Sequence, residues 1–201
     1  MKIGLYFGSF NPVHIGHLII ANHVINNTSL EQVWFVVSPQ NPFKQSASLL
    51  NEYHRLYMIN AAIEGEKQLR ASSVEFKLPK PSYTVDTLTY LKEKHPEHEF
   101  SLIMGSDSFQ NLDKWKNYTV ITRNYPLYIY KRPAFDVDNN MGATITLLSA
   151  PLLEISSTRI RELIAEKKSI KFLVPDVVKE EIEANGYYRP RSEDPSEQET
   201  E

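Results

Sequence analysis

Two histidines, His14 and His17, stand three residues apart in the segment GSFNPVHIGH, residues 8–17. Imidazoles at that spacing near the start of a helix project to the same side and can donate N–H groups to phosphoryl oxygens. Gly8 and Ser9 carry no bulky side chain, so a ligand can approach the backbone closely there. Asn11-Pro12 is a turn pair. The helix that follows supplies free backbone N–H groups and the positive end of a dipole, a natural site for phosphate. One histidine near a helix start is more often a cap or a surface residue. Two could be half of a metal site, but no nearby Asp, Glu or Cys completes one, and no protein-ligated metal is expected. The loop has neither the Lys-Ser/Thr ending of a P-loop nor the spacing of a dinucleotide fingerprint.

A second segment suited to phosphate lies near the other end, LLEISSTRIREL, residues 152–163. It reads as an extended stretch and then a helix opened by Ser156, Ser157 and Thr158. Three hydroxyls at a helix N-terminus suit the outer phosphates of a nucleotide, although such a run is also an ordinary cap. Tyr83 and Thr84 sit at a loop-to-helix junction where backbone N–H groups could meet a carboxylate. Trp115 lies between Lys114 and Lys116, a setting that favours a partly exposed indole able to stack on a flat ring. Asp107, just past Gly105, is placed to accept from a ribose or adenine donor. Lys44, in the Pro-rich loop SPQNPFK, could reach a triphosphate.

Such residues need a frame that brings them together, and strands alternate with helices along the chain. Lys2–Phe7, Val33–Val37 and Glu99–Gly105 are apolar on both faces, as buried parallel strands are. Arg70–Phe76, Pro126–Tyr130 and Thr144–Leu148 are the remaining predicted strands. Helices are predicted over Ile15–Asn26 (buried stripe Leu18, Ile19, Ala21, Val24, Ile25), Asn51–Glu64, Tyr83–Lys94 capped by Thr84 or Ser82, Ser106–Leu112, Ser156–Lys167 and Pro175–Asn185, the last stopped by Gly186. Residues 38–50 form a long loop. This order predicts an α/β fold, a Rossmann-like doubly wound parallel sheet with helices on both faces, in a single domain over 1–188. Ligands of such sheets bind at the carboxyl ends of the strands where the strand order reverses. The stretch 189–201 carries five acids and no apolar residue besides its prolines, and is expected to be a disordered tail.

Composition narrows the function classes. With 201 residues, 41% apolar, and a net charge of −3, there is no broad basic face for nucleic acid. No cysteine is present, which excludes disulfides, thiolate catalysis and Cys-ligated zinc. MKIGLYFGSF reads as a first strand, not a signal peptide, and no window is apolar enough to span a membrane; a cytoplasmic location is expected.

The motifs together resemble a known family. GSFNPVHIGH is similar to the signature of the H-x-G-H nucleotidyltransferase superfamily, with Asn11 in place of the usual Asp, and ISSTRIR to its second element, with Arg161 in the final place. PSYTVDTL (residues 81–88), the Gly105-Ser106-Asp107 stretch followed by Trp115, and the Pro-rich loop ending in Lys44 resemble the bacterial nicotinate-mononucleotide adenylyltransferases. The resemblance runs from residue 1 to about 188. It implies a Rossmann-like enzyme that joins ATP and nicotinate mononucleotide into nicotinate adenine dinucleotide, releases pyrophosphate, and uses Mg²⁺ held mainly by phosphates and water. By it, His14, His17 and Lys44 are catalytic. Gly8, Ser9, Phe10, His14, His17, Gly105, Asp107, Ile155, Ser156, Ser157, Thr158 and Arg161 bind ATP. Ser9, Lys44, Tyr83, Thr84 and Trp115 bind the mononucleotide. Direct attack of the 5′-phosphate on the α-phosphorus of ATP needs no covalent intermediate. A monomer or homodimer is expected, with no nucleic-acid or membrane partner. Nicotinamide mononucleotide or phosphopantetheine as acceptor, or a non-catalytic nucleotide sensor, are the alternatives.

Overall fold

The structure, a computed structural model, describes residues 1–40, 49–151 and 154–190. Six strands make one parallel sheet: β1 (Lys2–Gly8), β2 (Gln32–Val37), β3 (Leu69–Ser72), β4 (Glu99–Gly105), β5 (Leu127–Tyr130) and β6 (Ile145–Leu148), in the spatial order β3-β2-β1-β4-β5-β6. Pairing is parallel throughout, with Gly4 of β1 opposite Val33 on one side and Ser101 on the other. The order reverses between β1 and β4, so the crevice for a ligand opens above their carboxyl ends.

Side-chain alternation sorts each strand into two cores. Tyr6, Val33, Phe35, Val37 and Ile103 face one side of the sheet, covered by α1 (Ile15–Asn27), α2 (Glu52–Ala62), α6 (Ser157–Ala165) and α7 (Asp176–Asn185) through Ala21, Val24, Met58, Ile59, Ile160, Val178 and Ile182. Ile3, Leu5, Trp34, Val36, Leu102 and Met104 face the other, covered by α3 (Thr84–Lys94), α4 (Ser106–Phe109) and α5 (Tyr118–Asn124) through Val85, Leu88, Leu91, Phe109 and Ile121. Burial on both faces explains why these strands are apolar at consecutive positions. Among the described residues, no helix is long and apolar enough to cross a membrane.

The structure departs from the sequence expectation in several places. β3 stops at Ser72, and Val74–Lys77 is a 3₁₀ turn. That turn buries the Glu75 carboxylate, which accepts hydrogen bonds from Ser82 Oγ (2.7 Å) and Thr87 Oγ1 (2.8 Å). Ser82 is thereby unavailable as a helix cap; Tyr83 is the residue preceding α3, and no side chain caps that end. The helix expected over Ser106–Leu112 breaks into α4 and a 3₁₀ turn over Leu112–Lys114, and α5 was not expected. On α1, Ile20 packs against the core where Ile19 was expected. The strand expected from Pro126 pairs only from Leu127. Residues 191–201 of the acidic tail and residues 41–48 of the long loop lie outside the described residues.

Candidate active site

The first βα turn is built by its neighbours. The peptide before Pro12 is cis, and Phe10 has a positive φ of 46° with its ring buried against Tyr6, Phe35 and His17. Arg55 of α2 is fully buried beneath this turn. Its guanidinium donates to the carbonyls of Ser9, Ser38 (2.9 Å), Leu50 (2.7 Å) and Pro39 (3.3 Å). One cation therefore ties the end of β1 to both ends of the 38–50 loop, using carbonyls in place of a carboxylate. Asn11 Oδ1 accepts from the Leu50 backbone N–H (3.1 Å) and closes the same joint.

His14 and His17 are brought together at the start of α1. Their rings stack at 3.6 Å between centroids and 24° between planes. Gly16 permits this, since a Cβ there would lie 3.1 Å from His14 Nδ1. The His14 backbone N–H donates to His17 Nδ1 (3.2 Å), which leaves the proton of a neutral His17 on Nε2, a hydrogen-bond donor. Burial, reinforced by the Arg132 guanidinium, lowers the His14 pKa from 6.5 to about 3. Burial, then His14, then Arg132 hold His17 well below its ordinary value. Both imidazoles are neutral at pH 7 and act as hydrogen-bonding groups.

Arg132 was not anticipated from sequence. It follows β5, beside the β1–β4 reversal, the position where the strand-end rule could have drawn attention to it. Its Nε lies 3.1 Å from Asp107 Oδ1, its Nη2 donates to the Tyr130 hydroxyl (3.2 Å), and its backbone N–H donates to Ser106 Oγ (2.9 Å). Tyr6 donates in turn to Tyr130 (3.2 Å). Asp107, expected as a lone acceptor, is thus half of an ion pair. Gly105 stands immediately behind that pair; a Cβ there would run into the Asp107 carboxylate and come within 2.9 Å of Arg132 Nε.

A cleft of about 330 Å³ joins these parts. Gly8, Ser9, Phe10, His14 and His17 line one wall, and Ile155, Ser156, Ser157, Thr158 and Arg161 the next. Tyr83, Thr84, Asp107 and Trp115 complete it, so the structure brings together every described residue singled out from sequence except Gly105. Lys44 lies outside the described residues. The Ser-Ser-Thr element is committed more to structure than expected. Ser156 Oγ caps α6 by accepting from the Arg159 N–H (3.1 Å), and Ser157 Oγ donates to the Pro12 carbonyl (2.8 Å). Arg161 donates to the Asn11 carbonyl (2.8 Å) and to Thr158 Oγ1 (3.3 Å). These contacts lock the second element onto the first across some 150 residues of chain.

The α3 N-terminus, at Tyr83 and Thr84, lines the same cleft as Trp115. Lys116, next to that indole, bonds both carboxylate oxygens of Asp86 (2.8 and 3.1 Å) and lies 4.8 Å over the Tyr83 ring. Glu75 sits beneath, its pKa raised by burial and opposed by its hydroxyl donors. The described carboxylates of the cleft are Glu75, which accepts from Ser82 and Thr87, and Asp107, which pairs with Arg132.

Residues 5–163 match the cytidylyltransferase-like family model. A protein of Cytophaga hutchinsonii named "Probable nicotinate-nucleotide adenylyltransferase" is 52% identical, over 94% of this chain and 98% of its own. One of the same name from Flavobacterium psychrophilum is 50% identical, over 94% of this chain and all of its own. Among solved structures, the Plasmodium falciparum nicotinic acid mononucleotide adenylyltransferase complexed with NaAD superposes with a TM-score of 0.80 at 22% identity, covering 93% of this chain and 97% of that one.

Proposed function

The chain belongs to the nicotinate-nucleotide adenylyltransferases, with a cytidylyltransferase-like domain, and from that premise we infer how its cleft performs the reaction. It transfers the adenylyl group of ATP to nicotinate mononucleotide, giving nicotinate adenine dinucleotide and pyrophosphate, a step of NAD synthesis. The observation that carries the assignment of roles is that one cleft joins the stacked His14–His17 pair to the uncapped α3 N-terminus and Trp115.

The mononucleotide occupies the α3 side. Backbone N–H groups at Tyr83 and Thr84, on the positive end of an 11-residue helix, receive the nicotinate carboxylate. The Lys116 ammonium balances the Asp86 carboxylate in the first turn of α3 and so keeps this helix end from repelling an anion, and Trp115 stacks on the pyridine ring. An uncharged carboxamide forfeits that charge complementarity, which favours nicotinate over nicotinamide. ATP lies across the β1–β4 reversal, its phosphates over the α1 and α6 N-termini, with Ser9, Asp107 and Ile155 bordering the nucleoside. Lys44, outside the described residues, is assigned to the outer phosphates on the family resemblance alone.

The 5′-phosphate attacks the α-phosphorus in line while pyrophosphate leaves, so the protein's work is positioning and charge stabilisation. His17 donates its Nε2–H to a phosphoryl oxygen that gains charge as the leaving bond breaks. Being neutral and preorganised by the His14 backbone, it loses little to reorganisation. Arg132, paired with Asp107 and donating to Tyr130, lines the same side and offers its guanidinium to the phosphates. Mg²⁺, held mainly through the phosphates and water, would supply charge neutralisation and orientation of those phosphates. A cytoplasmic location fits this use of ATP.

The test is pyrophosphate release with ATP, Mg²⁺ and each acceptor in turn. Nicotinate mononucleotide is expected to give the highest kcat/KM. A higher value with nicotinamide mononucleotide or phosphopantetheine would overturn the acceptor assignment.

A further inference from the structure

At the amino ends of the strands, opposite the cleft, the turn from α3 into the central strand β4 reads His95-Pro96-Glu97-His98. The two imidazoles lie nearly parallel, 5.3 Å apart with 7° between planes. Glu97 Oε1 sits between them, 3.4 Å from His98 Nδ1 and 3.7 Å from His95 Nδ1. The three donor atoms are all within 4.8 Å of one another. A tetrahedral Zn²⁺ with bonds of about 2.0–2.1 Å spaces its ligand atoms roughly 3.4 Å apart. Two edges of that polyhedron, Glu97 to each imidazole, are therefore already near their final length, and closing the third requires the parallel rings to turn toward a common point.

The turn is also held in shape without help from Glu97. The His95 N–H closes α3 on Leu91 (2.9 Å), and the His98 N–H donates to the His95 carbonyl (3.0 Å). Lys92 Nζ donates to the carbonyls of Pro96 and His98 (3.3 Å each), which keeps this nearby cation turned to the backbone. The buried Trp34 meets both imidazoles edge-on, at 6.1 and 6.4 Å, and forms a floor beneath them. His98 Nδ1 is itself buried and has no hydrogen-bond partner among the described residues. A ring nitrogen withdrawn from water, without a hydrogen bond and 3.4 Å from a carboxylate oxygen, is a ligand atom whose partner is not otherwise accounted for.

We propose that His95, Glu97 and His98 form a binding site for a borderline-soft first-row divalent cation, Zn²⁺ or its analogues Co²⁺, Ni²⁺ and Cu²⁺, with water as the remaining ligand. Two imidazoles and one carboxylate select such ions and not Mg²⁺, which prefers an all-oxygen octahedron. The two classes of cation are thereby sorted in this proposal, Mg²⁺ to the phosphates in the cleft and the softer ion to the opposite end of the sheet. Chelation at this turn fastens His95, which closes the C-terminal end of α3, to His98, the residue before β4.

The test uses the full-length, tag-free, chelator-treated protein. Titration with Zn²⁺ by calorimetry is expected to show one saturable equivalent that millimolar Mg²⁺ does not displace. Bound Cu²⁺ is expected to quench Trp34 fluorescence, read in a Trp115→Phe background. His98→Ala should weaken Zn²⁺ binding by more than the roughly 10–100-fold that follows loss of an outer-shell partner. His95→Ala, at a more exposed ring, should do the same and guards against misfolding of the first variant. Absence of a saturable equivalent, displacement by Mg²⁺, or unchanged affinity in a folded His95→Ala or His98→Ala protein would overturn the site.

Discussion

Acid should destabilise this enzyme through its own phosphate-facing histidines. Burial and the Arg132 guanidinium bring His14 from 6.5 to about 3 in the folded chain. In the unfolded chain it titrates near 6.5. Between those values the unfolded state holds a proton that the folded state refuses. The stability due to a neutral, buried His14 is therefore complete above about pH 6.5 and is lost as the pH falls from there toward 3. With these two values the loss from His14 alone is about 2 kcal/mol at pH 5 and about 3 kcal/mol at pH 4. A single domain has only about 5–15 kcal/mol in total, so this is a large share. His17 is shifted the same way, by burial first, and adds to the loss. The perturbation is His14→Asn, a polar side chain of similar reach that does not titrate. Urea unfolding of the ligand-free enzyme and the variant, followed by circular dichroism at pH 7.5, 6 and 5, gives the two stability curves. Carboxylates elsewhere contribute equally to both and cancel in the difference. The variant is expected to start less stable at pH 7.5 and to lose about 2 kcal/mol less than the parent by pH 5. Parallel curves would refute the claim that His14 is held neutral by the fold.

His17→Ala removes one preorganised donor and should lower kcat about 10²–10³-fold with a smaller change in KM for ATP; wild-type kcat would make the motif merely a helix start, and an adduct of AMP mass seen by mass spectrometry after incubation with ATP would overturn direct attack. Trp115→Ala should raise KM for nicotinate mononucleotide by the equivalent of ~1–3 kcal/mol and leave KM for ATP nearly unchanged, measured by initial rates. Lys116→Met should raise KM for the nicotinate substrate by up to roughly fivefold, because the ammonium is half-exposed and screened, without changing the weaker use of nicotinamide mononucleotide. Arg55→Met leaves four buried carbonyls without their cation and should cost about 3–5 kcal/mol in urea unfolding, whereas Arg55→Lys should recover part of it.

The sequence by itself determined the fold class and most of the cleft. Buried parallel strands announce themselves as short apolar runs, and a phosphate-binding turn is a local matter of glycine, turn residues and histidines on one helix face. Gly8 to His17, Tyr83–Thr84, Trp115 and Ser156–Thr158 were legible for that reason, because their chemistry depends on neighbours within a few positions. Some local expectations failed where a distant partner intervened. Ser82 did not cap α3, because the Glu75 carboxylate is buried within reach of its hydroxyl, and the strand expected through Phe76 turned early to bury that carboxylate. Ser157 and Arg161 spend their donors on Pro12 and Asn11, contacts that span some 150 residues and exist only when the two ends of the domain meet. Arg132 joins the site only because β5 lies beside β4, and Arg55 becomes a clamp only because three backbone segments converge on it. The neutrality of the histidines was likewise beyond the sequence. It follows from the water that packing excludes and from a guanidinium more than 110 residues away, and neither exists until the sheet has formed.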